Sequence, residues 1–259
     1  MDQLLQSTHS SDRQRAVTHL SLASGKRSVL TLVAVLSGDR DSDVRLAAAD
    51  ALGQVASRNK AIDQTLMLAL RDRSSLVRGH AALSLGHRCA KKAVPKLVEL
   101  LSRSRDSLVR TSVVESLGEI GGGRAFSALA EALNDRSWMV RGYAAQALAE
   151  TGGQRAVPAL LRRRDVEKSS WVKLLLYAAL YRLGESNYLP SILGMFRSRR
   201  YHVRCATANI LAEIVDEKNG DQILATLRTA LRKESTVAAR SSIRNALRYV
   251  RRVRRRSRT

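Results

Sequence analysis

The arginines near the C-terminus have the residue type and the spacing of a site for phosphate groups. They recur every three or four residues, which places them in one stripe of a helix, and Arg252 adds charge beside the stripe. The stripe consists of Arg240, Arg244, Arg248, Arg251 and Arg255. Guanidinium groups hold phosphate oxygens through paired N–H donors, and a stripe without acids gives salt-dependent affinity. The pattern predicts a site for nucleic acid or another polyanion; a solvated cap on the end of the fold is the alternative.

A second basic set falls in predicted turns, close to aromatic residues. The basic residues are Arg163, Arg199 and Arg200, and the aromatic residues are Trp138, Trp171 and Tyr201, each just before a valine in successive copies of one pattern. Aromatic rings interleaved with arginines are typical of platforms on which bases stack. Plain packing at the starts of helices is the other interpretation of the aromatic residues.

The segment from 171 to 183 is apolar on nearly every side of a helix. Other copies of the pattern have Gly, Thr, Gln or Asp where Leu174 and Ala178 fall, and Leu175 adds to the apolar face. An apolar face of this kind is either covered by a neighbouring element or docks a partner. With Trp138, Trp171 and Tyr201, these leucines form the predicted protein-binding set.

No pattern of catalytic or metal-binding residues stands out. His87 with Cys89 and His202 with Cys205 are short pairs at different places in the pattern, and no pair converges by sequence. We therefore expect no catalytic residues, no metal site and no cofactor, and the chain is predicted to be non-enzymatic.

Composition limits the setting and the partners. Apolar residues make up 44% of the 259 residues but aromatic residues make up 4%, so a core of Ala, Leu and Val is expected. Net charge is +22, and the segment from Arg228 to the end carries half of it, which favours polyanionic partners. The sequence contains no run of about 18 apolar residues, and its two cysteines make no disulfide framework. These features predict a cytoplasmic protein without a membrane segment; they leave the oligomeric state open.

A repeat with a nearly constant period must position all these residues. A Val-Arg pair followed by Leu-Gly, or a degenerate copy of it, recurs every 31 to 36 residues. The marked basic residues are Arg13, Arg45, Arg78, Arg110, Arg141, Lys173, Arg204 and Arg240. Each copy predicts two helices, the leading helix that carries the marked residue and a trailing helix after it. Such a period is typical of a solenoid, here one domain over residues 1–250 with an Arg-rich tail over 251–259.

The repeat resembles the HEAT family, in the short bilin-lyase (PBS-lyase) subtype, over about residues 10 to 250. The shared frame is an acid, five residues and an arginine preceded by Val, then Ala-Ala-x-Ala-Leu-Gly. The resemblance implies an all-α, right-handed α-solenoid of about eight stacked helical hairpins. It also implies a hydrogen-bonded ladder of acids and arginines. The acids Asp39, Asp72, Asp135 and Glu167 lie six residues before a marked residue. Ser104 and Ser198 replace that acid, and Glu234 precedes Arg240 in the irregular last copy, so the ladder is expected to weaken from the third repeat on.

Three functions follow as hypotheses. The first is a scaffold that binds an acidic partner, above all nucleic acid, through the basic C-terminal helix and the basic turns. The second is a protein–protein adaptor that uses the helix over 171–183. The third, implied by the repeat subtype, is a bilin lyase-like or phycobilisome-associated protein. A more distant resemblance, to HEAT-like alkylpurine glycosylases, would give Asp135 beside Trp138 a catalytic role, although the ladder accounts for Asp135 better.

Overall fold

The computed structural model describes residues 2–23, 25–56 and 59–256, and within those ranges it contains helices and no strand. The chain divides into two compact units, Met1–Gly152 and Gly153–Thr259. Each unit repeats the predicted pair of a leading and a trailing helix. The chain is therefore an all-α solenoid, as the period predicted.

Unit 1 contains five leading helices and the helices that accompany them. In chain order they are α1 (Asp2–Leu5), α2 (Ser10–Leu22), α3 (Lys26–Gly38), α4 (Ser42–Gly53), α5 (Lys60–Ala69), α6 (Ser75–His87), α7 (Val94–Arg103), α8 (Ser107–Ile120), α9 (Gly123–Ala132) and α10 (Trp138–Thr151). A short 3-10 helix, Lys91–Ala93, precedes α7. The even-numbered helices from α2 to α10 are the leading helices.

Unit 2 continues the same alternation. Its helices are α11 (Val157–Val166), α12 (Ser170–Arg182), α13 (Leu189–Gly194), α14 (Tyr201–Glu213), α15 (Gly220–Lys233) and α16 (Val237–Arg256), with 3-10 helices at Gly153–Ala156, Ser186–Tyr188 and Met195–Arg197. Helix α16 runs to Arg256, so residues 251–256 of the segment expected to form a tail continue the last helix. The remaining three residues lie outside the described part of the chain.

Small residues let the leading helices of unit 1 approach closely. Neighbouring leading helices pack more tightly on one another than the trailing helices do. A Cβ placed on Gly86 of α6 would lie 2.8 Å from the Cα of Ser116 on α8, so only glycine fits there. The Ser116 hydroxyl donates a hydrogen bond of 2.6 Å to the Ala82 carbonyl across the same contact. The recurring Leu-Gly of the repeat is therefore a packing requirement.

A ladder of arginines and carboxylates joins successive repeats. Arg45 donates two hydrogen bonds to the Asp72 carboxylate, from Nη2 at 2.7 Å and from Nε at 2.8 Å, and a third from Nη1 to the Asp39 carbonyl at 2.9 Å. The Asp72 carboxylate also accepts the backbone N–H of Ser74 at 2.8 Å, which fixes the turn before α6. Equivalent rungs are Arg13–Asp39, Arg110–Asp135 and Arg204–Glu234.

The expectation that the ladder weakens from the third repeat paired each arginine with the acid six residues upstream, and that pairing was wrong. An arginine takes its carboxylate from the next repeat and only a backbone carbonyl from the residue six positions upstream. Arg110 therefore binds Asp135 although Ser104 lies six residues before it, and Ser104 supplies its carbonyl at 2.9 Å. Ser104 stands at the position from which the next repeat would supply a carboxylate to Arg78, so that rung is missing. In the described part of the chain Arg78 donates hydrogen bonds to the carbonyls of Asp72 and Arg73 and to no carboxylate, although its charge helps to lower the pKa of Asp106.

Candidate polyanion-binding site

Helix α16 holds its basic side outward because its other side is anchored in the core of unit 2. Ile243, Ala246, Leu247 and Val250 are buried in the same cluster as residues of α14 and α15. Because helical side chains three and four apart share a face, the arginines between these anchors point away from the core. Arg244, Arg248, Arg251, Arg252 and Arg255 are all exposed.

The exposed arginines of α16 have no carboxylate partner within the described residues. Arg248 donates to the Asn245 amide oxygen at 2.9 Å, and the Arg252 guanidinium lies over the ring of Tyr249 at 5.4 Å. Neither contact neutralises charge. Arg240 differs from the rest because it is half-buried at the ladder position and donates to the Glu234 carbonyl at 2.7 Å. Arg240 is therefore partly a structural residue.

Arg254 differs from the other arginines of α16 because it fixes the last turns of this helix to α15. Its guanidinium contacts the Asp221 carboxylate at 2.6 Å and the Glu217 carbonyl at 3.3 Å. Its side chain also lies against Gly220, where a Cβ would collide with it. This contact pins the C-terminal turns of α16 to the start of α15 and keeps the neighbouring arginines in register.

An open groove runs between α14 and α16 with a volume of 640 Å³. It is lined by Asn209, Ala212, Asn245, Ala246, Arg248, Tyr249 and Arg252. Carboxamides, a phenol ring and two guanidinium groups thus share one concave surface without an acid. Sequence reasoning missed Asn209, Asn245 and Tyr249. Asn245 and Tyr249 precede Arg248 and Arg252 on the same helical face, which was a usable signal, but Asn209 joins them only through the packing of α14 on α16.

The predicted basic turns divide into paired and exposed arginines. Arg163 donates two hydrogen bonds to the buried Glu167 carboxylate, at 2.8 and 3.0 Å, so its charge is already neutralised and it is a poor polyanion contact. Arg199 and Arg200 are exposed in the turn before α14. The prediction of a polyanion contact in these turns is therefore retained for Arg199 and Arg200.

The aromatic residues expected to form a stacking platform do not share one unit. Trp138 lies in unit 1 and is 47% exposed, whereas Tyr201 lies in unit 2 and is 51% exposed. Trp171 is partly buried against the core of unit 2. Trp171 is thus a packing residue in part, as the alternative interpretation held.

The apolar character of the helix over 171–183 is explained by burial. Leu174 is completely buried in the core of unit 2, and Leu175 is partly buried against it. Helix α12 packs against helices before and after it, so more of its circumference faces the core than in a helix with one buried face. Leu174 is therefore unavailable to a partner, which corrects its assignment as a partner-binding residue.

The exposed side of α4, α6, α8 and α10 in unit 1 has the opposite charge. Apart from the ladder arginines, α4, α6, α8 and α10 contain no Lys or Arg. A groove of 260 Å³ across α6, α8 and α10 is lined by Glu115, Glu119 and Glu150 with His87 and Tyr143. Burial and the neighbouring Glu119 raise the pKa of Glu115. This face repels phosphate, so the basic surface of α16 is the better candidate site.

Among the described residues, no three His, Cys, Asp or Glu side chains are grouped as metal ligands. Asp135 is fully engaged with Arg110 in the ladder, which leaves the glycosylase-like role without a free carboxylate. No helix in the described ranges has the length and apolar character needed to cross a bilayer.

The repeat model for "HEAT repeats" matches residues 1–64, 62–136 and 120–181, which together are more than half of the chain. The chain belongs to the HEAT-repeat family. Four of its marked arginines, Arg13, Arg45, Arg110 and Arg204, are each held by a carboxylate of the repeat that follows. No curated protein sequence matches the chain.

Solved HEAT-like structures agree with this assignment. The CpcE–CpcF complex of phycocyanin lyase from Nostoc sp. PCC7120 is 21% identical, with a TM-score of 0.58 over 85% of this chain and 93% of the other. YibA of Escherichia coli is 22% identical, with a TM-score of 0.55 over 95% and 90%. A homology model of the AP-3 complex is 15% identical, with a TM-score of 0.67 over 91% of this chain and 47% of the other. At these identities the likeness shows the α-solenoid fold alone.

Proposed function

We propose that this HEAT-repeat protein is a non-enzymatic adaptor that binds a polyanion, with nucleic acid as the ligand, through α16. The observation that carries the proposal is the row of exposed arginines on α16 that meet no carboxylate within the described residues. A solubilising cap would also be polar, but it would not need one charge sign throughout. Net positive charge concentrated on an anchored helix attracts a dense line of phosphates.

The mechanism is counterion release combined with guanidinium–phosphate hydrogen bonds. Each phosphate neutralised by an arginine frees condensed counterions, so affinity falls steeply as salt rises. The buried apolar side of α16 and the Arg254–Asp221 pair hold the helix in place before the ligand arrives. A preformed row loses less side-chain entropy on binding than a flexible basic tail would.

Fluorescence anisotropy with a labelled oligonucleotide tests the proposal. The triple variant Arg244→Gln, Arg248→Gln, Arg251→Gln should bind at least about tenfold more weakly at low salt and show a shallower salt dependence. The matched control carries Arg15→Gln, Arg105→Gln and Arg124→Gln, which removes the same charge from exposed positions of unit 1. Equal losses in both variants would mean that net charge alone is responsible, and the assignment to α16 would be wrong.

A protein partner is the second candidate, favoured by a different surface from the one predicted. Leu76 and Leu108 are more than half exposed at the starts of α6 and α8, and Trp138 is 47% exposed at the start of α10. Apolar side chains repeated at equivalent helix starts are typical of a docking surface. The bilin-lyase alternative has no observation of this kind, since it depends on the fold alone.

Affinity capture from cell extract tests this second candidate with a matched pair of variants. Leu76→Asp with Leu108→Asp should lose a protein that the unaltered chain retains. Leu30→Asp with Leu68→Asp, at exposed positions of α3 and α5, should keep it. Retention of the same proteins by both double variants would exclude these helix starts as the docking surface.

A further inference from the structure

The groove between α14 and α16 has a composition that the row of arginines does not explain. Asn245 lies three residues before Arg248 and four before Tyr249, and Arg252 lies four and three residues after them, so the four residues line a single face of α16 toward α14. Tyr249 is 44% exposed although its neighbours Ala246 and Val250 are buried. A large aromatic side chain left in an open groove between two guanidinium groups is available for a ligand.

The polar groups of the groove are arranged around this ring. The Arg252 guanidinium lies 5.4 Å from the ring centroid, which is cation–π geometry, and Arg248 is fixed by its hydrogen bond to the Asn245 amide oxygen at 2.9 Å. That bond uses the oxygen of Asn245, whose NH₂ group donates no hydrogen bond to another described residue. The Asn209 carboxamide on α14 is exposed and has no hydrogen bond to another described residue. Carboxamides supply both the donors and the acceptors that base edges require.

We propose that this groove binds an unpaired base, so that the ligand of α16 is single-stranded nucleic acid. The inference depends on the proposed function, because it names the class of polyanion that α16 holds. The base stacks on Tyr249, its edge meets the carboxamides of Asn209 and Asn245, and the flanking phosphates lie against Arg248 and Arg252. The groove volume of 640 Å³ falls within the range of about 300–1,000 Å³ common to sites for small ligands.

Other polyanions use only part of this surface. In a duplex both faces of each base are stacked and the pairing edges are occupied, so Tyr249 could not stack on a base, and only the edges exposed in the grooves could be reached. An acidic polypeptide or a sulfated sugar would satisfy the arginines and leave the ring and the carboxamides without a role. Stacking on an aromatic side chain tolerates every base, which predicts weak sequence preference.

The experiment measures binding of the full chain to a labelled single-stranded oligonucleotide, a duplex of the same length, heparin and poly-glutamate. The single strand should bind at least about tenfold more tightly than the duplex, since each stacked base contributes substantially. Tyr249→Leu, which keeps an apolar side chain but no ring, should weaken single-strand binding about tenfold and leave duplex and heparin binding unchanged. Tyr249→Phe should retain the preference, and thermal melting should show that both variants are folded.

The outcomes separate this inference from the proposed function. Unchanged single-strand binding by Tyr249→Leu, with loss in the triple arginine variant, would overturn the base-binding groove and keep the polyanion site. Equal affinity for the duplex, heparin or poly-glutamate would also overturn it. Failure of every polyanion to bind would overturn the proposed function and this inference together.

Discussion

At the residue scale, the ladder depends on which repeat supplies each carboxylate. Burial alone would raise the pKa of Asp39, Asp72 and Asp135, but hydrogen bonds from the arginine and from a backbone N–H more than offset it, and their pKa values are lowered. For Glu234 the hydrogen bonds from Arg204 are the largest influence, and its pKa falls from 4.5 to about 2. These acids stay ionised in the folded protein because their arginines are held in place.

Glu234 should make the stability of the protein depend on pH. Its folded pKa lies below its unfolded pKa, so its contribution is complete above about pH 5 and is lost as the pH falls toward 2. Glu234→Gln should lower the free energy of unfolding by about 2–3 kcal/mol at pH 7, and the difference from the unaltered protein should shrink with acid. Urea unfolding at several pH values measures both quantities.

The control for Glu234 is a carboxylate in an exposed ion pair. Glu213 pairs with Arg182 at the surface, so Glu213→Gln should change the free energy of unfolding by less than about 1 kcal/mol at any pH. A difference for Glu234→Gln that stays constant between pH 7 and pH 3 would contradict the lowered pKa.

The missing rung at Arg78 predicts a stabilising substitution. Ser104 occupies the place of Asp39, Asp72 and Asp135, and its hydroxyl already accepts the backbone N–H two residues later, as those carboxylates do. Ser104→Asp should complete the rung with Arg78 and raise the free energy of unfolding by about 1 kcal/mol, measured by thermal or urea unfolding. Ser102→Asp, at an exposed position of α7, is the control and should have little effect. A gain no larger than that of the control would show that Arg78 cannot reach the new carboxylate.

At the scale of the element, the close approach of leading helices depends on residues without side-chain volume. Gly86→Ala should lower the free energy of unfolding by about 1–3 kcal/mol, because the added Cβ meets the backbone of α8 and the helices must move apart. Gly38→Ala is the control: it also lies in a helix of unit 1, nothing lies within 4 Å of the added Cβ, and it should be neutral or slightly stabilising. Urea unfolding measures the change in the free energy of unfolding for both variants. Equal changes would show that helix propensity, rather than packing against α8, determines the effect of Gly86→Ala.

How much the sequence could predict differs between these elements. The eight leading helices were predictable because a basic residue and, seven residues later, a leucine return in every repeat at a nearly constant period. The direction of the ladder was not, because an acid six residues upstream has the same spacing whether it serves its own arginine or that of the preceding repeat. The burial of Leu174 was not predictable, because a helix that is covered on all sides by its neighbours and a helix that exposes an apolar face to a partner have the same sequence pattern. The groove beside Tyr249 needed the packing of α14 on α16, which no local pattern contains.

At the scale of the whole molecule, the +22 net charge opposes folding as well as favouring polyanions. Like charges on one chain repel, and half of the excess lies within the last 32 residues. The ladder pairs are buried or partly buried, so salt screens them less than it screens the exposed arginines of α16. Stability should therefore respond to salt mainly through relief of repulsion.

The melting temperature should rise by several degrees when salt increases from about 10 mM to about 100 mM, because the Debye length shortens from about 30 Å to about 10 Å. The variant with Arg244→Gln, Arg248→Gln and Arg251→Gln should melt higher at low salt and respond less, since part of the repulsion has been removed. Ser104→Asp should shift the melting temperature without flattening its salt response, because it adds a partly buried pair. Thermal melting followed by circular dichroism at several salt concentrations measures all three. A melting temperature that falls with salt would show that exposed ion pairs elsewhere in the chain outweigh the repulsion, and the excess charge would then not limit stability.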